Sequence, residues 1–272
     1  MIRIFPGVYL HPLTVLLFVF GYVTRTLEPL CLMLLVMTLH ELSHLAAALL
    51  IGLKPKRITF YPFGVNLQLK NSMIYSLSEE IILYLAGPLS NLLMALLALL
   101  FFRSSVWFDL LYWQNIGLCL LNLLPILPLD GGIILKKALS HQLGYCPACR
   151  IMQVISGILA GMLFAAEIYL AYQSRWNYSM LIFCIFLLGN VLCTREKYNL
   201  DFIRELLFYK EKGLQYKNQR VKTVLLREGV SPRYAAERFT LGSYYIIFCV
   251  DQNGRIKRIM TETELMEELM LT

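Results

Sequence analysis

The sequence predicts an all-α membrane protein with six transmembrane helices and a membrane-associated β-hairpin, followed by a small α/β domain. Three observations support this class. Of 272 residues, 58% are apolar and 16% are charged, whereas soluble domains are about half apolar and about a quarter charged. Residues 195–272 hold 14 of the 25 lysines and arginines. The remainder contains six apolar runs, each near the roughly 20 residues that a span requires.

The six predicted spans have an alternating charge pattern in their connecting loops. They cover roughly residues 8–24, 29–52, 80–102, 106–129, 151–172 and 178–194. The loops on one side carry single arginines, whereas those on the other side carry several lysines and arginines. The positive-inside rule therefore predicts that both termini are cytoplasmic. It also predicts a transmembrane domain at 1–194, a basic linker at 195–217 and a cytosolic domain at 218–272.

The segment between the second and third spans does not have a helical pattern. Residues 53–79 contain two prolines and a glycine among β-branched and aromatic residues. Alternating side chains predict extended structure, arranged as a hairpin that lies against the membrane or dips into it from the cytosolic side. We expect residues 58–68 to offer a free strand edge to another extended chain.

The second span contains the residues HELSH, an unusual set of polar groups for a membrane helix. His40 and His44 are four apart, so both imidazoles lie on one helix face. This is the HExxH pattern of zinc peptidases, in which Glu41 is the candidate general base. Polar groups are costly inside a bilayer, which favours a shared functional reason over three unrelated contacts.

A third metal ligand is expected from another span, because catalytic zinc usually has three protein ligands. The fourth predicted span ends in NLLPILPLDGG. Pro125 and a second proline break the helix before Asp130, and two glycines follow it. We therefore expect Asp130 to reach the metal. Asn122 is a candidate hydrogen-bond donor to the substrate backbone or oxyanion.

Several small, polar or thiol-bearing residues within or near the spans are interpreted as structural, and one acidic residue is given no role. The small and polar residues of AGPLSN in the third span favour close helix packing. The CPAC pair is read as two reduced thiols because no second pair accompanies it. These residues are Gly87, Ser90, Asn91, Cys146, Cys149 and the unassigned Glu167.

The C-terminal segment has the pattern of a small α/β unit. SPRYAAERF predicts a short helix, and SYYIIFCV and RIKRIM predict strands around the turn 251–254. Thr261 and Glu264 have the spacing of a capping box that opens a last helix. This order resembles a CBS-domain unit, which is too short to form a large core alone and would pair with a second copy.

The combination of HELSH, AGPLSN and NLLPILPLDGG, in this order, resembles the site-2 protease family of intramembrane zinc metalloproteases (peptidase family M50 type). The resemblance implies that one zinc ion is held by His40, His44 and Asp130, and that Glu41 activates water. The stretch that contains Phe63 and Gly64 is similar to the family's membrane hairpin, so these residues are expected to bind substrate with Asn122 and Pro125.

The six-span layout and short cytosolic domain resemble the sporulation type within that family. This resemblance implies cleavage of the pro-sequence of a membrane-associated pro-sigma factor (pro-sigma-K type) and inhibition by membrane protein partners. It also implies a location in the outer forespore membrane of a bacterium, with the C-terminal domain in the mother-cell cytoplasm. The CBS-like domain is expected to bind ATP and to form homo-oligomers, although it has no phosphate-cradling glycine loop.

Two alternatives remain open at this point. The chain could be a site-2 protease for other membrane substrates, such as anti-sigma factors or signal-peptide remnants. It could instead be a non-proteolytic membrane metal sensor or transporter, which predicts ligands along a path to both faces. Nucleic acid is not an expected partner, because no basic stripe with interleaved aromatic residues is present.

Overall fold

The computed structural model describes residues 2–5, 8–10, 12–61, 64–70, 77–173, 178–193, 220–230, 234, 235, 239 and 243–271. The chain forms two compact units. One combines residues 1–124 with 129–131, and the other combines residues 125–128 with 132–272.

The first unit contains four helices, of which two are long. The helices are α1 (Pro12–Val23), α2 (Leu27–Leu50), α3 (Leu77–Phe101) and α4 (Phe108–Leu123). The 24 and 25 residues of α2 and α3 give lengths of about 36 Å, enough to cross a hydrocarbon core of about 30 Å. Ala47 and Ala48 of α2 pack with Leu83 of α3. Because these alanines are small, the two backbones can approach closely.

The first unit also contains a four-stranded sheet, with two strands before α1 in the chain and two after α2. Its strands are β1 (Ile2–Phe5), β2 (Val8–Leu10), β3 (Lys54–Tyr61) and β4 (Gly64–Lys70), in the spatial order β1-β2-β3-β4. Strands β3 and β4 form the predicted hairpin, in which Tyr61 pairs with Gly64. Strand β2 was not predicted: residues 8–10 pair in parallel with β3 instead of beginning a helix.

The sheet order changes which strand offers an open edge. Strand β3 lies between β2 and β4, and its residues 58–60 pair with both neighbours. The expectation of a free edge along residues 58–68 is therefore wrong for residues 58–60, because β2 occupies that edge. Among the described strands of this sheet, the outer ones are β1 and β4.

The second unit contributes α5 (Asp130–Leu143, whose first two residues belong to the first unit), α6 (Tyr145–Tyr172) and α7 (Tyr178–Cys193). Within the described residues, three helices are long and apolar enough to cross a membrane, namely α2, α3 and α6. The helices α1, α4 and α7 have 12, 16 and 16 residues. Six spans therefore remain a prediction.

A non-helical segment separates α4 from α5, as the two prolines predict. Helix α4 ends at Leu123, six residues before the predicted end of its span, and Leu124 has an extended backbone. A new helix then begins at Asp130. A Cβ atom on Gly132 would collide with the carbonyl group of Ile126. Only glycine therefore allows α5 to start so close to the preceding segment.

The C-terminal part contains β5 (Arg220–Arg227), β6 (Ser243–Val250), β7 (Ile256–Thr261) and α8 (Glu262–Leu271). Strand β5 is parallel to β6, and β6 is antiparallel to β7. The predicted turn is present: Asp251 Oδ1 accepts hydrogen bonds from two backbone N–H groups, and Gly254 has a φ of 79°. The predicted capping box is also present, because Thr261 and Glu264 exchange side chain–backbone hydrogen bonds.

The core of this C-terminal sheet includes the first turns of α6. Tyr145 is 4% exposed and Cys149 is 1% exposed. They belong to the same buried cluster as residues from β5, β6, β7 and α8, which include Leu226, Tyr245, Ile247, Met260 and Leu265. Helix α6 is therefore part of the hydrophobic core on which the C-terminal sheet is built.

Several predictions concern residues outside the described ranges. The linker 195–217 lies outside them, as does Phe63. Of the helix predicted from residues 231–239, only Tyr234, Ala235 and Phe239 are described. Neither Cys146 nor Cys149 forms a disulfide bond among the described residues, and their interpretation as reduced cysteines stays a prediction.

Replacing Gly132 with alanine should destabilise the fold. The added methyl group must displace backbone rather than a mobile side chain, so we expect a loss of about 1–3 kcal/mol, measured as a lower thermal unfolding midpoint in detergent. Gly161→Ala is the matched control, since nothing lies within 4 Å of its added Cβ atom. Equal midpoints for both variants would contradict the close packing at Gly132.

Candidate metal centre

Helix α2 presents two buried histidines on one face. His40 is 5% exposed and His44 is 8% exposed. Their Nε2 atoms lie 3.1 Å apart. The four-residue spacing therefore brings the imidazoles together inside the first unit, as the sequence predicts.

Asp130 joins the two histidines from the start of α5. Its Oδ2 atom lies 3.2 Å from Nε2 of His40 and 3.3 Å from Nε2 of His44. This oxygen is buried, and within the described part of the chain it makes no hydrogen bond. The break after α4 thus places a carboxylate oxygen directly against the two imidazole nitrogens.

The three facing atoms have the spacing of metal ligands. A tetrahedral ion with bonds of about 2.0–2.1 Å holds its ligand atoms about 3.3 Å from one another. The observed separations are 3.1, 3.2 and 3.3 Å. Two imidazoles and one carboxylate are also a donor set that zinc accepts. His40, His44 and Asp130 therefore form a group that can hold a metal ion.

The second nitrogen of His44 is held by the backbone of α3. Nδ1 of His44 lies 2.7 Å from the carbonyl oxygen of Leu83. A carbonyl can only accept, so Nδ1 carries the proton and donates it. Nε2 is then free of hydrogen and available as a ligand, which is the usual arrangement around a ligating histidine.

The second nitrogen of His40 faces the side-chain amide of Asn91. Nδ2 of Asn91 lies 3.0 Å from Nδ1 of His40, and Oδ1 of Asn91 is buried without a hydrogen bond among the described residues. When Nε2 of His40 binds a metal, Nδ1 carries the proton and requires an acceptor. A half-turn of the amide supplies that acceptor and gives Oδ1 its partner, so Asn91 suits the metal-bound form of His40.

Gly87 allows α3 to lie directly against the two imidazoles. A Cβ atom at this position would collide with ring atoms of both His40 and His44. Gly87 and Asn91 are four residues apart on α3, so they share one helix face. That face forms one wall of the candidate metal centre.

Glu41 lies beside the metal-ligand group on α2. It is half-buried, and its carboxylate interacts electrostatically with both His44 and Asp130. The neighbouring position in HExxH therefore provides a carboxylate close to, but separate from, the three converging ligand atoms.

The other predicted site residues occupy different surroundings. Asn122 is in the last turn of α4, where its Nδ2 donates to the carbonyl of Leu118 in its own helix at 3.1 Å. Pro125 lies in the segment between α4 and α5, and Gly64 begins β4. Phe63 is outside the described residues. The role of each in binding substrate remains a prediction.

Two residues in contact with the histidines have only a structural role in the sequence analysis. The sequence predicts helix packing for Gly87 and Asn91, yet both face the imidazoles. Their spacing in the sequence could have indicated this role. Gly87 and Asn91 are four residues apart, like His40 and His44, so a helix places the amide and the glycine on one face.

Comparison with known proteins shows what this chain is similar to. Residues 29–109 match the sequence profile of peptidase family M50. The fold is similar to a site-2 protease from Methanocaldococcus jannaschii, with a TM-score of 0.53 and 25% identity, over 70% of this chain and 92% of that one. The predicted resemblance to the site-2 protease family is thereby confirmed.

Two curated proteins are similar in sequence. Stage IV sporulation protein FB of Bacillus subtilis is 32% identical over 148 residues, which are 53% of this chain and 51% of that protein. A zinc metalloprotease of Methanocaldococcus jannaschii is 32% identical over 129 residues, which are 45% of this chain and 37% of that protein. The chain thus spans about half or less of the length of these relatives.

Replacing Gly87 with alanine should weaken zinc binding. The methyl group would push both imidazoles away from their shared centre, and we expect an affinity loss of about tenfold or more, measured by competition with a chromophoric chelator. Gly117→Ala is the control in the same unit, because nothing lies within 4 Å of its added Cβ atom. Unchanged zinc affinity in the Gly87 variant would show that α3 does not limit the position of the imidazoles.

Replacing Asn91 with leucine should also weaken zinc binding. Leucine has a similar size but gives Nδ1 of His40 no acceptor, so we expect about tenfold lower affinity. Asn91→Asp keeps an acceptor oxygen and should retain more of the affinity. Asn115→Leu is the matched control, because Asn115 is equally buried and its amide donates to its own helix. Equal losses at both positions would argue against a specific role for Asn91.

Proposed function

We propose that this protein is an intramembrane zinc endopeptidase in which His40, His44 and Asp130 hold one zinc ion. The observation that carries the proposal is the convergence of three ligand atoms at separations of 3.1–3.3 Å within a chain that has membrane-length helices. The match to peptidase family M50 includes both histidines and Glu41. A sensor or transporter would not require the adjacent carboxylate of Glu41.

Glu41 is the catalytic base in this proposal. When bound, zinc would supply the Lewis acidity that activates water at neutral pH and polarises the scissile carbonyl. The carboxylate of Glu41 takes the proton from the attacking water and delivers it to the leaving amide nitrogen. Its electrostatic interaction with His44 and Asp130 supports a position beside the proposed ligands.

Substrate binding is assigned to the open edge of the first sheet and to the end of α4. A helical substrate must become extended before its peptide bond can be hydrolysed. Outer strand β4, which begins at Gly64, leaves backbone groups available for pairing with such a segment. Phe63 and Pro125 would contact the substrate, and Asn122 would hydrogen-bond its backbone or the developing oxyanion.

The proposed substrate is a membrane-associated pro-sigma factor of the pro-sigma-K type. The 32% identity to a stage IV sporulation protein supports this choice over anti-sigma factors or signal-peptide remnants. The charge pattern of the loops supports cytoplasmic termini. In a sporulating cell, the outer forespore membrane is the proposed location, and inhibitory membrane proteins are the proposed partners.

Self-association through the C-terminal domain is a further part of the proposal. The outer face of the sheet carries an apolar row across three strands, in which Leu225 pairs with Phe248 and Phe248 pairs with Ile259. Leu225 is 72% exposed and Ile259 is 57% exposed. A second copy would cover this row. The CBS-like order of elements also supports ATP as a ligand of this domain.

Replacing Glu41 with glutamine should abolish cleavage while zinc remains bound. Glutamine has nearly the same shape but cannot accept the proton from water, so we expect activity to fall by at least about 100-fold. The measurement is cleavage of a co-expressed pro-sigma factor, together with zinc content of the purified protein.

Glu79→Gln is the matched control for the loss of one carboxylate, because Glu79 is exposed in the first turn of α3. It should cleave as the wild-type protein does. If the Glu41 variant processed substrate with wild-type efficiency, the proposed mechanism would be wrong.

A further inference from the structure

The segment between α4 and α5 must satisfy its backbone groups without a helix. Residues 124–129 have no helical hydrogen-bond ladder. Unpaired N–H groups are costly in an apolar environment, and more so at membrane depth. Two of the six residues are prolines and have no N–H group. The partners of the remaining N–H groups therefore decide how firmly this segment is held.

Ser156 of α6 provides one of these partners. Its hydroxyl oxygen accepts a hydrogen bond from the backbone N–H of Leu127 at 2.9 Å. Ser156 is fully buried, with 0% exposure, so water cannot replace the hydroxyl. The bond joins residues 29 positions apart and is not part of any helix or strand.

Leu127 is three residues before Asp130, so the position of its peptide constrains the carboxylate. The intervening chain is short and contains Pro128, whose φ is fixed by its ring. On the other side of Asp130, Gly132 lies tightly against the carbonyl of Ile126. The segment therefore has little freedom between the bond at Leu127 and the first turn of α5.

We propose that Ser156 is a positioning residue for Asp130. By holding the Leu127 peptide, its hydroxyl fixes the segment from which Asp130 enters the metal centre. This inference rests on the proposed zinc site, and it adds a residue that lies outside the HELSH, AGPLSN and LPLDGG motifs.

Ser140 offers a direct contrast within the same unit. It is also 0% exposed, but its hydroxyl donates to the carbonyl of Lys136 in its own helix at 2.8 Å. Removing the hydroxyl of Ser140 deprives no backbone N–H group of its acceptor. Removing the hydroxyl of Ser156, in contrast, deprives the N–H group of Leu127 of its acceptor. The two serines thus separate a role in positioning from simple burial of a hydroxyl group.

The test compares Ser156→Ala with Ser140→Ala in the purified full-length protein. Zinc affinity is measured by chelator competition, and stability is measured by thermal unfolding of the metal-free protein. We expect about tenfold weaker zinc binding for Ser156→Ala and wild-type affinity for Ser140→Ala. A purely structural role would lower the unfolding midpoint of the metal-free protein without changing zinc affinity, and that result would overturn the proposal.

Two further variants keep the test decisive. Ser156→Thr retains the acceptor oxygen and should bind zinc within about twofold of wild type. If Ser156→Ala does not fold, Ser156→Cys replaces it, because a thiol has a similar shape but is a weak acceptor. Wild-type zinc affinity in the cysteine variant, or a tenfold loss in the threonine variant, would refute the role of the hydroxyl.

The proposed function and the role of Ser156 fail in different ways. If the wild-type protein binds no zinc, or if Glu41→Gln remains active, the protease proposal is wrong. If the wild-type protein binds zinc and Ser156→Ala binds it equally well, only the positioning role is wrong.

Discussion

The fold of the first unit depends on bringing a carboxylate to two buried imidazoles. His40 and His44 lie in a helix otherwise rich in leucine and alanine, where a polar group without a partner is strongly unfavourable. Asp130, from another helix, brings a single oxygen within 3.3 Å of each Nε2 atom. One metal ion bound by all three atoms would satisfy them together. Several other features of the chain allow Asp130 to approach the two histidines.

Three residues of α3 allow the two imidazoles to take this position. Glycine at position 87 removes the side chain that would separate α3 from the imidazoles. The carbonyl of Leu83 and the amide of Asn91 then reach the outer ring nitrogens. These two polar groups hold the outer nitrogens of the histidines and so orient the inner nitrogens toward Asp130.

Local patterns were enough to predict several parts of the fold and the site. The interval between His40 and His44, the break before Asp130, the hairpin and the capping box at Thr261 all depend on residues close in sequence. Strand β2 was missed because it pairs with β3, about 50 residues further along the chain, and no local pattern records such a contact. The bond between Ser156 and Leu127 was missed for the same reason.

Helix α6 contacts other segments of the second unit at two positions along its axis. Tyr145 and Cys149, in its first turns, belong to the core of the C-terminal sheet. Ser156, two turns later, holds the peptide of Leu127. If Ser156 positions Asp130 as proposed, a ligand that changes the packing of the C-terminal core and thereby moves α6 would alter metal affinity. By thermodynamic reciprocity, metal binding would then alter the affinity for that ligand by the same factor.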